Sequence, residues 1–163
     1  MGNGYTKDNV NVYFRARKAA AEYDERLSSR AGASELIGVS ESSLADYELG
    51  NTKVVPVDKV VLMSELYHCP ELKTGYCKHE CPIGRTMPLA TKEAGIEGAA
   101  LRLIKQLNPE RMKDIKNSLV DIAADGVIDE EEKPELKEIL DSLDELSLVI
   151  SELRLIGEKA LKG

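Results

Sequence analysis

The 163-residue sequence has no tryptophan and a single phenylalanine, Phe14, and aromatic residues make up only 4% of it. Its core must therefore be built from Leu, Ile, Val and Ala, a choice that favours helices over sheets. Cysteine is also scarce: three residues, an odd number, do not make a disulfide framework and fit a reducing compartment. No apolar run approaches the roughly 20 residues that cross a bilayer. The opening MGNGYTKDNV lacks the basic-then-apolar order of a signal peptide. These absences predict a cytoplasmic protein without a membrane partner. An excess of positive charge is missing too. The net charge of −7 argues against a nonspecific coater of nucleic acid, which would be basic throughout. What is present, 42% hydrophobic and 31% charged residues, excludes wholesale disorder.

The acidity is concentrated at one end. Residues 1–60 carry 8 basic and 9 acidic side chains, whereas residues 91–163 carry 11 and 17. Any contact with nucleic acid must then come from a local patch in the first half. Punctuation divides the chain into a flexible tail at 1–9, short helical patterns over 10–72, a Cys/Pro/Gly-rich connector at 73–95 and longer helical patterns over 96–163. Nothing alternates with period 2 long enough to form a strand; Val54-Val55-Pro56-Val57 is short and contains a proline. The fold class expected is all-α, with a C-terminal helical bundle or coiled-coil-like region.

In the first half, Val12, Ala16, Ala19, Ala20 and Tyr23 predict a helix near 9–26. Ser28 or Ser29 can cap a second helix from Arg30 to Ile37, which Gly38 stops. Ser40 can cap a third, Glu41 to Leu49, with Leu44 and either Tyr47 or Glu48 facing inward and Gly50 ending it. Pro56 opens a fourth that reaches about Tyr67.

The run Ser34 to Gly50 resembles the helix-turn-helix of the Xre/Cro phage-repressor family. The family's small residue in the first motif helix falls on Ser34, its turn on Ile37 to Ser40, its buried aliphatic on Leu44 and its glutamate-x-glycine ending on Glu48 to Gly50. The resemblance extends over about 10–72. It implies a sequence-specific transcriptional regulator of double-stranded DNA, with the helix 41–49 in the major groove. Base edges would then be met by Glu41, Ser42, Ser43 and Asp46. Arg30 and Lys53 match family positions that contact phosphate, and Arg15, Arg17 and Lys18 could add backbone charge from the first helix. A carboxylate at Glu41 or Asp46 can accept from cytosine N4 but repels nearby phosphates. The alternative is a helical adaptor that uses the same fold to recognise protein.

Both histidines and all three cysteines lie between residues 68 and 81: His68, Cys69, Cys77, His79 and Cys81. On a helix Cys77 and Cys81 share a face and could grip a zinc or other thiophilic ion, with Cys69 or a histidine completing the shell. That would make a metal- or redox-responsive regulator. The C-x7-C-x3-C spacing is no standard zinc arrangement, however, and the simpler reading is reduced cysteines packing the connector, with no cofactor. Asp121 to Glu132 resembles a degenerate EF-hand loop, with Ala123 where an oxygen ligand belongs; an ordinary interhelical turn accounts for the same residues, and calcium is not expected.

The last helix, about Glu130 to Leu161, carries Leu136, Ile139, Leu143, Leu146, Ile150 and Leu153 at 3-4 spacing, widened by Leu140, Leu148, Val149, Leu155 and Ile156. So wide a stripe needs more than one partner surface, which favours a homodimer. Enzyme activity is not expected. There is no nucleophile motif, no phosphate-cradling glycine loop and no histidine outside the cysteine cluster.

Overall fold

The computed structural model describes residues 11–92 and 95–162. The tail expected at 1–9 lies outside the described residues. The protein is all-α, and among the described residues there is no strand. The helices are α1 Val12–Ala20, α2 Arg30–Ile37, α3 Glu41–Leu49, α4 Val57–Leu66, α5 Glu71–His79, α6 Ile96–Gln106, α7 Pro109–Ile122 and α8 Lys133–Lys162. Short 3-10 turns occur at Glu25–Ser28 and Gly84–Thr86. No helix is long and apolar enough to cross a membrane.

Two compact units result. One runs to Thr86 and takes in the chain from Glu158 onward; the other spans Met87–Gly157. The first is centred on Leu27, Ala33, Ile37, Leu44, Val60 and Met63, all essentially without exposure. Its helix ends follow local chemistry. The Asn11 side chain accepts from Tyr13 N, the Ser29 side chain from Gly32 N and the Ser40 side chain from Ser43 N, each relieving an otherwise unpaired donor at a helix start. α1 is shorter than the pattern predicts, because after Ala20 the chain turns and re-enters a 3-10 helix at Glu25, with the Asp24 side chain accepting from Arg26 N.

Residues 73–95, expected as a connector, carry most of α5. Leu72 of α5 is buried in the first unit, with Cys69 and Tyr76 packed against the same core. Two ion pairs tie α5 to the end of α8: Lys159 to Glu71 at 2.7 Å and Lys73 to Glu158 at 3.6 Å.

In the second unit, Ala99, Ile122, Ile139 and Val149 are buried. Arg102 of α6 pairs with Glu152 of α8, and Arg111 of α7 donates to Ser142 Oγ at 2.9 Å. Asn108 caps α7 by accepting from Glu110 N and Arg111 N, with Pro109 at the first helical position, where its missing N–H costs nothing.

Candidate functional site

α2 and α3 are joined by a three-residue turn. Gly38 adopts φ +68°, a left-handed conformation in which a side chain would be strained. Its N–H donates to Glu35 O, and Val39 N donates to Ser34 O at 3.1 Å, closing the end of α2. Lys59 of α4 adds a donor from outside, Nζ to Ile37 O at 3.2 Å. The lysine was not singled out from the sequence, because a lysine on an amphipathic helix reads as a solvated side chain.

α3 has two distinct faces. Leu44, Tyr47 and Glu48 are buried, while Glu41, Ser42 and Asp46 are exposed. Ser43, expected to face outward with them, is half-buried, and its hydroxyl lies 2.8 Å from Ser40 Oγ. Asp46 Oδ1 accepts from Asn51 Nδ2 at 3.0 Å, so part of this carboxylate is engaged within its own helix end. At the other end of the core, Asn11 Nδ2 donates to Tyr47 O at 2.8 Å, linking the start of α1 to the end of α3.

Beneath α3 lies a buried charge network. Glu48 Oε1 meets Arg17 Nε at 2.5 Å, and Glu48 Oε2 meets Arg17 Nη2 at 3.1 Å and Arg30 Nε at 2.7 Å. Arg17 Nη1 donates further to Leu27 O and Ser28 O, at 2.9 and 3.2 Å. Bidentate pairing with the carboxylate and two carbonyl acceptors offset the desolvation of a guanidinium that is only 2% exposed. Arg17 therefore cannot reach a phosphate, and its expected role is corrected to holding α1, α3 and the Glu25–Ser28 turn together. The sequence hid this because the two charges stand 31 residues apart and a charged residue on a helix reads as solvated.

The remaining cations differ in how free they are. Arg30 keeps about a third of its side chain exposed while paired to Glu48. Lys18 is exposed, and its Nζ donates to Ser28 O at 2.8 Å. Arg15 and Lys53 are exposed and form no ion pair among the described residues.

Comparison with family models, with curated proteins and with solved structures finds no match for this chain. The reading of the site rests on its own geometry.

The cysteine–histidine stretch is spread over the loop after α4, α5 and the chain just beyond it. Among the described residues, no three His, Cys, Asp or Glu side chains gather where they could hold one metal ion. The expectation that Cys69, Cys77 and Cys81 form a ligand set is corrected accordingly. His68, in a left-handed conformation at φ +48°, stacks on Tyr23 with ring centres 4.8 Å apart. The Tyr23 hydroxyl donates to Leu66 O at 3.1 Å. Cys69 Sγ donates to Glu71 Oε2 at 3.4 Å. Burial, followed by the Glu71 carboxylate, pushes the Cys69 thiol up to about 11. At pH 8 Cys69 is thus almost wholly thiol. We expect it to be alkylated by iodoacetamide at least tenfold more slowly than a free thiol near its ordinary pKa. Mass mapping of a timed reaction on the folded protein checks this, and alkylation of Cys69 at the free-thiol rate would contradict its burial.

The acidic turn before α8 is likewise explained without an ion. Asp129 Oδ1 accepts from Glu131 N and Glu132 N, at 2.8 and 3.0 Å, and Glu132 Oε2 accepts from Asp129 N at 3.1 Å. This reciprocal capping directs both carboxylates to backbone donors.

Proposed function

We propose that the protein is a sequence-specific DNA-binding transcriptional regulator that acts as a homodimer, with α3 read in the major groove. The observation that carries this reading is the division of α3. Its inward face is locked by Leu44, Tyr47 and the Glu48 network, and the outward face of its first turns offers Glu41, Ser42 and Asp46 to solvent. A helix held so firmly from behind, with short polar side chains at its N-terminal end, suits entry into a groove about 12 Å wide. Arg15, Lys18, Arg30 and Lys53 supply the cations for backbone contact, and two half-sites would add the specificity that one small module lacks.

Selection of binding sites from random duplex DNA at near-physiological salt tests the reading. The expected result is an enriched inverted repeat. Lys53→Ala should weaken binding to all sequences alike and lower the slope of log affinity against log salt by about one, whereas Ser42→Ala should relax preference at one position. No enrichment from folded protein would overturn the reading.

One observation favours a second reading, the helical adaptor. The outward face of α3 carries two carboxylates, and Arg17, one of the five cations expected to meet phosphate, is buried. An acidic, hydroxyl-rich face suits a basic protein segment. The same selection decides between the two.

A further inference from the structure

α8 is one 30-residue helix, and its apolar residues divide between two directions. Ile139 and Val149 are buried, with Leu146 and Leu153 half-buried on the same side. Leu143 and Ile150, which the sequence groups with them, lie within about 40° of Ile139 around the helix but on the exposed edge of that face. Leu136, Leu140, Leu143, Ser147, Ile150 and Arg154 recur at steps of four and three, the spacing of a coiled-coil seam. On this seam Leu140 is 52% exposed, Leu143 37% and Ile150 45%. The polar links from α6 and α7 reach α8 at Glu152, Glu145 and Ser142. At 100° per residue, these three lie roughly 140° or more around the helix from Ser147. Ala90, in the segment before α6, donates from its N to Ser151 Oγ at 3.0 Å, about 40° around the helix from Ser147, so this segment borders the seam while the other helices of the unit leave its face exposed.

We propose that this seam is closed by the same seam of a second copy of the chain, running antiparallel about a two-fold axis near Ser147. The proposal gives the homodimer of the preceding reading its surface, and it rests on that reading only for the dimer. Charge selects the direction. Residues 133–145 carry five acidic and two basic side chains, whereas residues 146–157 carry one of each, Glu152 and Arg154, and Glu158 and Lys159 beyond them are paired with α5. A parallel copy lays acid upon acid, whereas an antiparallel copy lays the acidic half along a half without net charge and brings Arg154 to its acids. In that register Leu143 meets Ile150 of the second copy, and the small Ser147 lets the helices approach where they cross. Arg154 comes beside Leu140 and Asp144 of the second copy. Asp144 and Arg154 are exposed and take no ion-pair partner among the described residues. Ten residues apart, about 15 Å along the helix, they cannot pair with each other within one chain.

Sedimentation equilibrium of the full chain without DNA, over an about hundredfold concentration range, tests this. The expected result is a monomer–dimer equilibrium. Ile150→Asp raises its dissociation constant about tenfold or more, since the two-fold axis counts every substitution twice. Asp144→Arg and Arg154→Asp each weaken association, and the double variant D144R/R154D returns it to within about threefold of the original, with helical content unchanged by circular dichroism. A chain that stays monomeric throughout overturns the proposal. So does an Ile150→Asp variant that associates normally, or a double variant no stronger than the single ones. Because the measurement contains no DNA, its failure leaves the site selection standing, and a failed selection leaves the seam intact.

Discussion

Replacing Glu48 with alanine is expected to lower the stability of the unit built from α1–α5 by about 3–5 kcal/mol, the cost of leaving a buried charge unpaired. Arg17 would keep its bonds to Leu27 O and Ser28 O but lose its carboxylate in a site that water does not reach. Arg30, with a third of its side chain exposed, can turn to solvent and suffers less. The double substitution Arg17→Met with Glu48→Leu should cost clearly less than the two single changes added together. It removes both buried charges at once and leaves the two carbonyls to be satisfied, while Arg30, part-exposed, turns its guanidinium to solvent. Urea denaturation followed by circular dichroism measures all three variants. A loss below about 1 kcal/mol for Glu48→Ala would show that the network holds nothing the surrounding packing does not already hold.

Gly32→Ala is the second large effect, and here two principles oppose each other. Gly32 lies inside α2, where alanine normally gains about 1 kcal/mol over glycine. A Cβ at this position, however, would fall well inside van der Waals contact distance of the Arg26 backbone carbonyl oxygen. That atom belongs to the Glu25–Ser28 turn, which is held by Leu27 in the core and by Arg17 at its carbonyls, so it cannot swing aside as a flexible side chain would. The clash should win, with a net loss of about 1–3 kcal/mol in the same urea measurement. A gain in stability would mean that the turn is free to move away from α2.

Local chemistry explains which parts of the fold are legible from sequence. The bounds of α2 and α3 follow from Ser29, Gly38, Ser40 and Gly50, because each of these residues satisfies or stops a helix end by itself. The end of α1 is less legible, since alanines at 19, 20 and 21 continue the helical pattern past the turn that Asp24 organises. α5 is hidden because Pro70, Gly75 and the cysteines give its segment the composition of a loop, and its burial depends on Leu72 meeting a core assembled from distant residues. The site divides in the same manner. The exposed face of α3 follows from helical periodicity, whereas the burial of Arg17 follows only from its pairing with Glu48 across the fold. Within α8 the breadth of the apolar stripe was evident, but which residues turn inward depends on where α6 and α7 attach.

The division of labour on α3 has a bearing on how such a chain can change over generations. Leu44, Tyr47 and Glu48 are committed to the interior, and substitutions there are paid for in folding. Glu41, Ser42 and Asp46 stand outside that constraint, and exchanges at exposed positions ordinarily shift stability by no more than about 0.5 kcal/mol. On the reading proposed above, descendants of this sequence can thus rewrite what α3 recognises while inheriting the scaffold unaltered, and close kin with the same core need not share a target.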